Sequence, residues 1–307
     1  MTRSSCALAV IVLCACGDPG EGSDAGSAPT GDAGAADSGA GSDAGQVGEG
    51  YVKLSAGGYH TCGLKADQTV VCWGRDDYGQ STAPAGAFID VSADYWHSCG
   101  VRDDNSVVCW GDDDFGQSSP PDGELLERVS AGYFHTCGLK ADQRAVCWGL
   151  DDSGRITPPT DPLSTLSTGW YHSCGLKLDQ RATCWGMNSD QQATPPDEPL
   201  TALAAGGLHT CGLRPDQTGT CWGYADFGQL VVPTGTFEQL AAGADHSCGL
   251  RADGSVECWG RDDADQANPP PGSFSYVTAG LDHSCAITTA GVARCWGRDN
   301  YGQASPP

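Results

Sequence analysis

The chain has 307 residues with 44 glycines, 17 cysteines and a formal charge of −23. That charge excludes a nucleic-acid binder, whose surface must be basic to meet phosphates, and suits cationic partners or cations instead. The length allows one large domain or two ordinary ones.

The N-terminus reads as an export signal over residues 1–15. Arg3 precedes the apolar run Cys6-Ala7-Leu8-Ala9-Val10-Ile11-Val12-Leu13. The run is too short to span a bilayer as a helix and fits a cleaved leader. Leu13-Cys14-Ala15-Cys16 resembles the lipobox of bacterial lipoproteins. The resemblance implies cleavage before Cys16, acylation of its thiol, and a place in the cell envelope. Ordinary secretion with cleavage nearby is the alternative. Residues 16–50 follow as a tether. From 17 to 49 the segment is Gly, Ala, Ser and Asp with little else, and has no aromatic residue, Lys or Arg. Such a composition cannot bury enough apolar surface to order itself. As a Gly-rich coil it reaches roughly 30 Å.

From residue 51 to 307 the sequence repeats. All seven histidines, His60, His97, His135, His172, His209, His246 and His283, fall in one register about 37 residues apart. Each is followed by Thr or Ser and then Cys, and ten residues later by Cys-Trp-Gly. The repeats run 51–87, 88–125, 126–162, 163–199, 200–236, 237–273 and 274–307. In the first, Val52–Ala56, His60–Lys65 and Thr69–Trp73 read as strands, with a turn at 57–59 and a hairpin loop at 66–68. Gly and Pro breakers leave no room for a helix.

A three-residue hairpin loop pairs residue 64 with 70 and 62 with 72. Cys62 then lies directly across from Cys72, close enough for a disulfide. An exported chain meets an oxidising compartment, so seven staples are expected. They are Cys62–Cys72, Cys99–Cys109, Cys137–Cys147, Cys174–Cys184, Cys211–Cys221, Cys248–Cys258 and Cys285–Cys295. On the chain-entropy model each stabilises by roughly 2–3 kcal/mol, less what the hairpin already restricts. Trp73 points to the opposite face, where Thr61 and the side-chain-free Gly63 leave room for an indole. Packing residues on both faces fit a sheet sandwiched between two others, as a propeller blade is. The predicted fold is all-β: a seven-bladed β-propeller with one intra-blade disulfide per blade.

The pattern Ala-Gly-x-x-His-Thr/Ser-Cys-Gly-Leu, Val-x-Cys-Trp-Gly, Tyr/Phe-Gly-Gln resembles the repeats of the regulator of chromosome condensation family. At 37 residues per repeat it is similar to the compact bacterial branch that includes the propeller-type β-lactamase inhibitors. The resemblance covers residues 51–307. It implies seven blades of three main strands with a short or irregular fourth. Repeat three departs at Ser153-Gly154-Arg155, repeat four at Asp190-Gln191-Gln192 and repeat six at Ala264-Asp265-Gln266. The eukaryotic namesake exchanges nucleotide on a small GTPase and binds chromatin; an acidic, exported chain is expected to do neither.

Function is sought where the copies disagree. The two residues before each His include an aromatic in repeats one to four and are small, aliphatic or acidic in five to seven. Candidate partner-binding residues are Tyr59, Tyr95, Trp96, Tyr133, Phe134, Trp170, Tyr171, Asp245 and Asp282. Strand direction puts them on one face, the upper, with Tyr78, Phe115, Phe227 and Tyr301 of the Tyr/Phe-Gly-Gln loops. In the inhibitor relative, loops of this kind hold the partner. The alternative is that these rings pack on neighbouring loops. The upper-loop acids, Asp76-Asp77 and their counterparts, match no calcium loop closely and read as solvated turn carboxylates, with calcium the remaining cofactor possibility. On the lower face Lys65, Arg102, Lys140, Lys177, Arg214 and Arg251 are each expected to pair with the Asp two residues on or to be solvated. The His and Cys are expected to be structural rather than a zinc set, each His bonding backbone of a neighbour. No odd polar constellation breaks the repeat. The function read from the sequence is a non-catalytic, monomeric binding scaffold, anchored to the membrane by lipid only. Its partner is a protein or, alternatively, a glycan. An envelope-polymer hydrolase is the third reading.

Overall fold

The computed structural model describes residues 50–307. The expected leader, Cys16 and the tether up to residue 49 lie outside the described residues. Twenty-one strands form seven three-stranded antiparallel sheets. In the first, β1 (Tyr51–Ala56), β2 (His60–Lys65) and β3 (Val70–Gly74) follow one another in space as in sequence. These bounds differ by one residue from those read in the sequence. The other six repeats build the same unit, including the fifth at Ala202–Ala205, His209–Leu213 and Gly219–Gly223. The expected fourth strand is reduced to isolated bridges, Ser106 to Leu125 and Arg181 to Pro199.

The hairpin register pairs Leu64 with Val70, Cys62 with Cys72 and Thr61 with Trp73. All seven disulfides form, with Cα atoms 4.0–4.1 Å apart. The loop turns because Gln68 adopts φ of 69°, and Asp67 holds that turn by accepting from the Thr69 N–H at 3.0 Å. This local side-chain bond is what Asp supplies to turns. The space over Gly63 is not taken by the indole as the sequence suggested. The Tyr51 ring of the same blade fills it, and a Cβ at Gly63 would fall on that ring.

Blades pack disulfide against tryptophan. Cys62 and Leu64 of the first blade meet Phe88, Val91, Ala93 and Trp110 of the second. Cys285 and Ile287 of the seventh meet Leu54 and Trp73 of the first in the same way, so the ring is closed. Each apolar interface is tied by a polar one. The Trp110 indole donates to the Gln80 carbonyl of the preceding blade at 2.9 Å. Trp73 does the same to Gln303 of the last repeat at 2.9 Å, which latches the C-terminal loop onto the first blade. First strands line the axis, where Ser55 accepts from the Ala93 N–H and Ser92 from the Ala131 N–H, both at 2.9 Å.

Candidate functional site

The seven histidines form a closed hydrogen-bonded ring. Each Nε2 reaches the Ser or Thr hydroxyl of the next blade: His60 to Ser98 at 2.7 Å, and so on round to His283 and Thr61 at 2.8 Å. The partner is thus a side chain, not the backbone expected from sequence. Ser98 itself donates to the Gln80 carbonyl, so it accepts from the Nε2–H. That leaves Nδ1 without a proton, and in all seven rings it is buried without a hydrogen-bond partner. Burial holds these imidazoles neutral: the pKa falls to about 3 for His60, His172 and His246, and to about 4 for His97, His209 and His283. With every neighbouring cysteine oxidised, the geometry provides no thiolate for a metal.

Above this ring the aromatic residues gather into two tiers. In the first three blades the residue just before His packs on the preceding repeat's Gly-Gln loop. Trp96 lies 5.4 Å from Tyr78, Phe134 4.9 Å from Phe115, and Tyr59 5.5 Å from Tyr301. The residue before that leans over the axis. Tyr95, Tyr133 and Trp170 meet there, with Tyr95 and Trp170 5.7 Å apart although they belong to blades two and four. Tyr171 joins through Tyr133 at 5.8 Å. The outcome is one continuous patch of ten rings over half the upper face. The patch is neither fully buried nor loose. Tyr78 and Phe115 keep 52% and 46% of their surface exposed, while the Arg75 guanidinium covers Tyr59, Trp96 and Tyr301 at 4.8–5.5 Å. The neighbouring rings both pack and remain partly exposed, so the two readings of the sequence are not exclusive.

The opposite half differs. Asp245 pairs with Arg261 at 3.4 Å and Asp282 with Arg298 at 3.2 Å, so this arc is less anionic than its sequence suggests. In four of the upper loops an acid closes its own turn: Asp76 accepts from the Ser81 N–H at 2.8 Å, Asp113 from Ser118 at 2.8 Å, Asp262 from Ala267 at 2.8 Å and Asp299 from Ala304 at 2.7 Å. On the lower face the expected pairing with the Asp two residues on occurs for Lys177 and Asp179 at 3.8 Å. Lys140, Arg214 and Arg251 pair instead with Glu124, Glu198 and Glu257.

Two polar residues stand out from the repeat: Arg155, in a loop departure read from the sequence, and Asp94, which that reading did not single out. Arg155 stands where six repeats have Gln and is fully buried. Its guanidinium pairs with Asp152, donates to the Trp170 carbonyl and faces the Tyr171 ring. Asp94 stands where the other six repeats have Gly, at the axial end of the Gly-x-x-His turn. Burial raises its carboxyl well above the usual range.

Six of the seven repeats match the family model of the regulator of chromosome condensation (RCC1) repeat, at residues 51–80, 88–117, 127–155, 164–192, 237–266 and 274–303. The chain belongs to the RCC1-repeat family. The RCC1-repeat fold also relates it to solved structures. The ectodomain of the Physcomitrella patens receptor kinase CR4 is 26% identical, with 80% of this chain and 72% of that one covered at a TM-score of 0.69. The CRINKLY WD40 ectodomain of the Arabidopsis thaliana receptor kinase ACR4 is 27% identical, covering 81% and 97% at 0.67. Prp20p from Saccharomyces cerevisiae is 16% identical, covering 77% and 82% at 0.67. No curated protein sequence gives a match. The fifth repeat escapes the family model yet builds a full RCC1-type blade, because its His209, Cys211, Cys221 and Trp222 keep the frame.

Proposed function

We propose that this RCC1-repeat propeller is a non-catalytic scaffold that grips a protein partner with its upper face. The observation that carries the reading is the continuous patch of ten partly exposed rings on a disulfide-stapled frame. Rings held by their neighbours present large contact area at little cost in side-chain entropy, as interface anchors do. The yeast structure Prp20p is described with its binding to Gsp1p and histones, which places protein partners among the roles of this fold. In the same reading, Cys16 carries the lipid and residues 17–49 hold the propeller off the membrane. Metabolic labelling with an alkynyl fatty acid tests that part: label lost in Cys16→Ser supports it, and label retained refutes it.

The function is tested by capture with the full chain. Replacing Trp96, Phe134 and Trp170 by alanine should abolish binding of a protein partner identified with the wild type. Unchanged capture refutes the reading. Binding to a glycan array in place of any protein would assign the same rings to sugar stacking.

A further inference from the structure

We propose that the axial mouth of the upper face takes the ε-ammonium of a lysine carried by the protein partner, with the Asp94 carboxylate as its acceptor. This rests on the protein-binding reading above and names the chemistry at its centre. The first support is steric. A Cβ at Gly57, Gly132 or Gly169 would fall on the backbone carbonyl of the next blade, and the remaining glycines of the ring are bound in the same way. Blades elsewhere close around the axis by N–H to carbonyl bonds, such as Gly207 to Gly243 and Ala244 to Gly280, both at 3.0 Å. Among the described residues the corresponding bonds from Tyr95 to Gly132 and from Tyr133 to Gly169 do not form. The ring is therefore open where Asp94 needs room for its side chain.

The second support is the shape and chemistry of the mouth. Asp94 lines a cavity of about 30 Å³ with Trp170, Leu281 and glycines of the facing blades. A water-sized group needs about 10–15 Å³ by this measure, so there is room for an ammonium, the more compact of the two side-chain cations. On the aromatic side, Tyr95 and Trp170 stand edge to face at 88°, and ring faces attract an organic cation. On the other side, Asp245 and Asp282 are already matched by Arg261 and Arg298. Among the described residues no cationic side chain pairs with Asp94. A partly buried carboxylate with no cation beside it gains from one supplied in trans.

The test uses the full chain and the amide Nα-acetyl-lysine N-methylamide, with its norleucine and arginine counterparts. The readout is the Trp170 indole N–H resonance, assigned with Trp170→Phe. The lysine probe should give a saturable shift, weakened at least about tenfold in both Asp94→Gly and Asp94→Asn. Norleucine should give none, and arginine a weaker one. Asp94→Gly restores the residue found in the other six repeats, so loss of binding there is not loss of fold. No saturable shift with lysine, an equal response to arginine, or an equal response in Asp94→Gly overturns the proposal. Partner capture that survives Asp94→Gly but is lost in Trp96→Ala would overturn it while leaving the protein-binding reading standing.

Discussion

Acidification tests the neutral histidine ring. All seven imidazoles are 0% exposed, and six have values lowered to about 3–4 from 6.5 by burial, with His135 lowered as well. A histidine whose folded value lies below its unfolded value binds its proton first in the unfolded chain. Its stabilising contribution is complete above 6.5 and is lost as the pH falls from 6.5 toward the folded value. Each costs about 1.4 kcal/mol per pH unit in that window, so seven together cost about 10 kcal/mol per unit. That is comparable to the whole stability of an ordinary domain, about 5–15 kcal/mol. Asp94, Asp112 and Asp245 act in the opposite sense, since burial raises their carboxyls above the ordinary value. Three groups do not offset seven. Unfolding in guanidinium at pH 5, with the disulfides intact, should be accompanied by net uptake of about four to six protons, and at pH 8 by almost none. A pH-stat measures this directly, and near-UV circular dichroism should show the denaturation midpoint falling from pH 7.5 to 5.5. Uptake of about one proton or fewer at pH 5, or an unmoved midpoint, would refute the neutral ring.

Other outcomes follow from the inter-blade geometry. Gly206→Ala places a Cβ on the Gly243 carbonyl and should lower unfolding free energy by about 1–3 kcal/mol in urea, whereas Asp94→Gly should leave it within about 0.5 kcal/mol. Truncation after Gly297 removes the Gln303 carbonyl that holds Thr61 and Trp73, so hydrogen exchange at the Trp73 indole should accelerate markedly while that at Trp185 changes less. Equal protection at both would contradict the latch. Non-reducing mass spectrometry should find the seven links within repeats, and links between blades would contradict the hairpin register.

The frame was legible because it is written seven times. A spacing of ten residues between cysteines and a three-residue loop suffice to put Cys62 opposite Cys72, since strand pairing alternates faces with a fixed period. What joins one blade to the next was less legible. His60 and Ser98 lie 38 residues apart, and nothing in their local pattern reveals that one ring reaches the other hydroxyl. The Tyr51 ring over Gly63 was missed for a related reason, as it comes from the far end of the neighbouring strand. Asp94 and Arg155 were visible in the aligned repeats as single departures from Gly and Gln. Asp94 sits one residue before the variable pair, inside what looked like frame. Only the closeness of carbonyls around the axis shows that a side chain there demands a local opening. The aromatic half of the upper face was readable from the residues before each His, but not its division into a tier over the axis and a tier on the loops.

The central claim is that the aromatic half of the upper face binds a protein. The most direct measurement is the affinity of a captured protein partner for the full chain and for the Trp96, Phe134 and Trp170 triple alanine variant, after circular dichroism has established that both are folded. The account predicts a loss of at least about a hundredfold, since a central aromatic anchor contributes about 2 kcal/mol or more. Undiminished binding by the folded triple variant would contradict it.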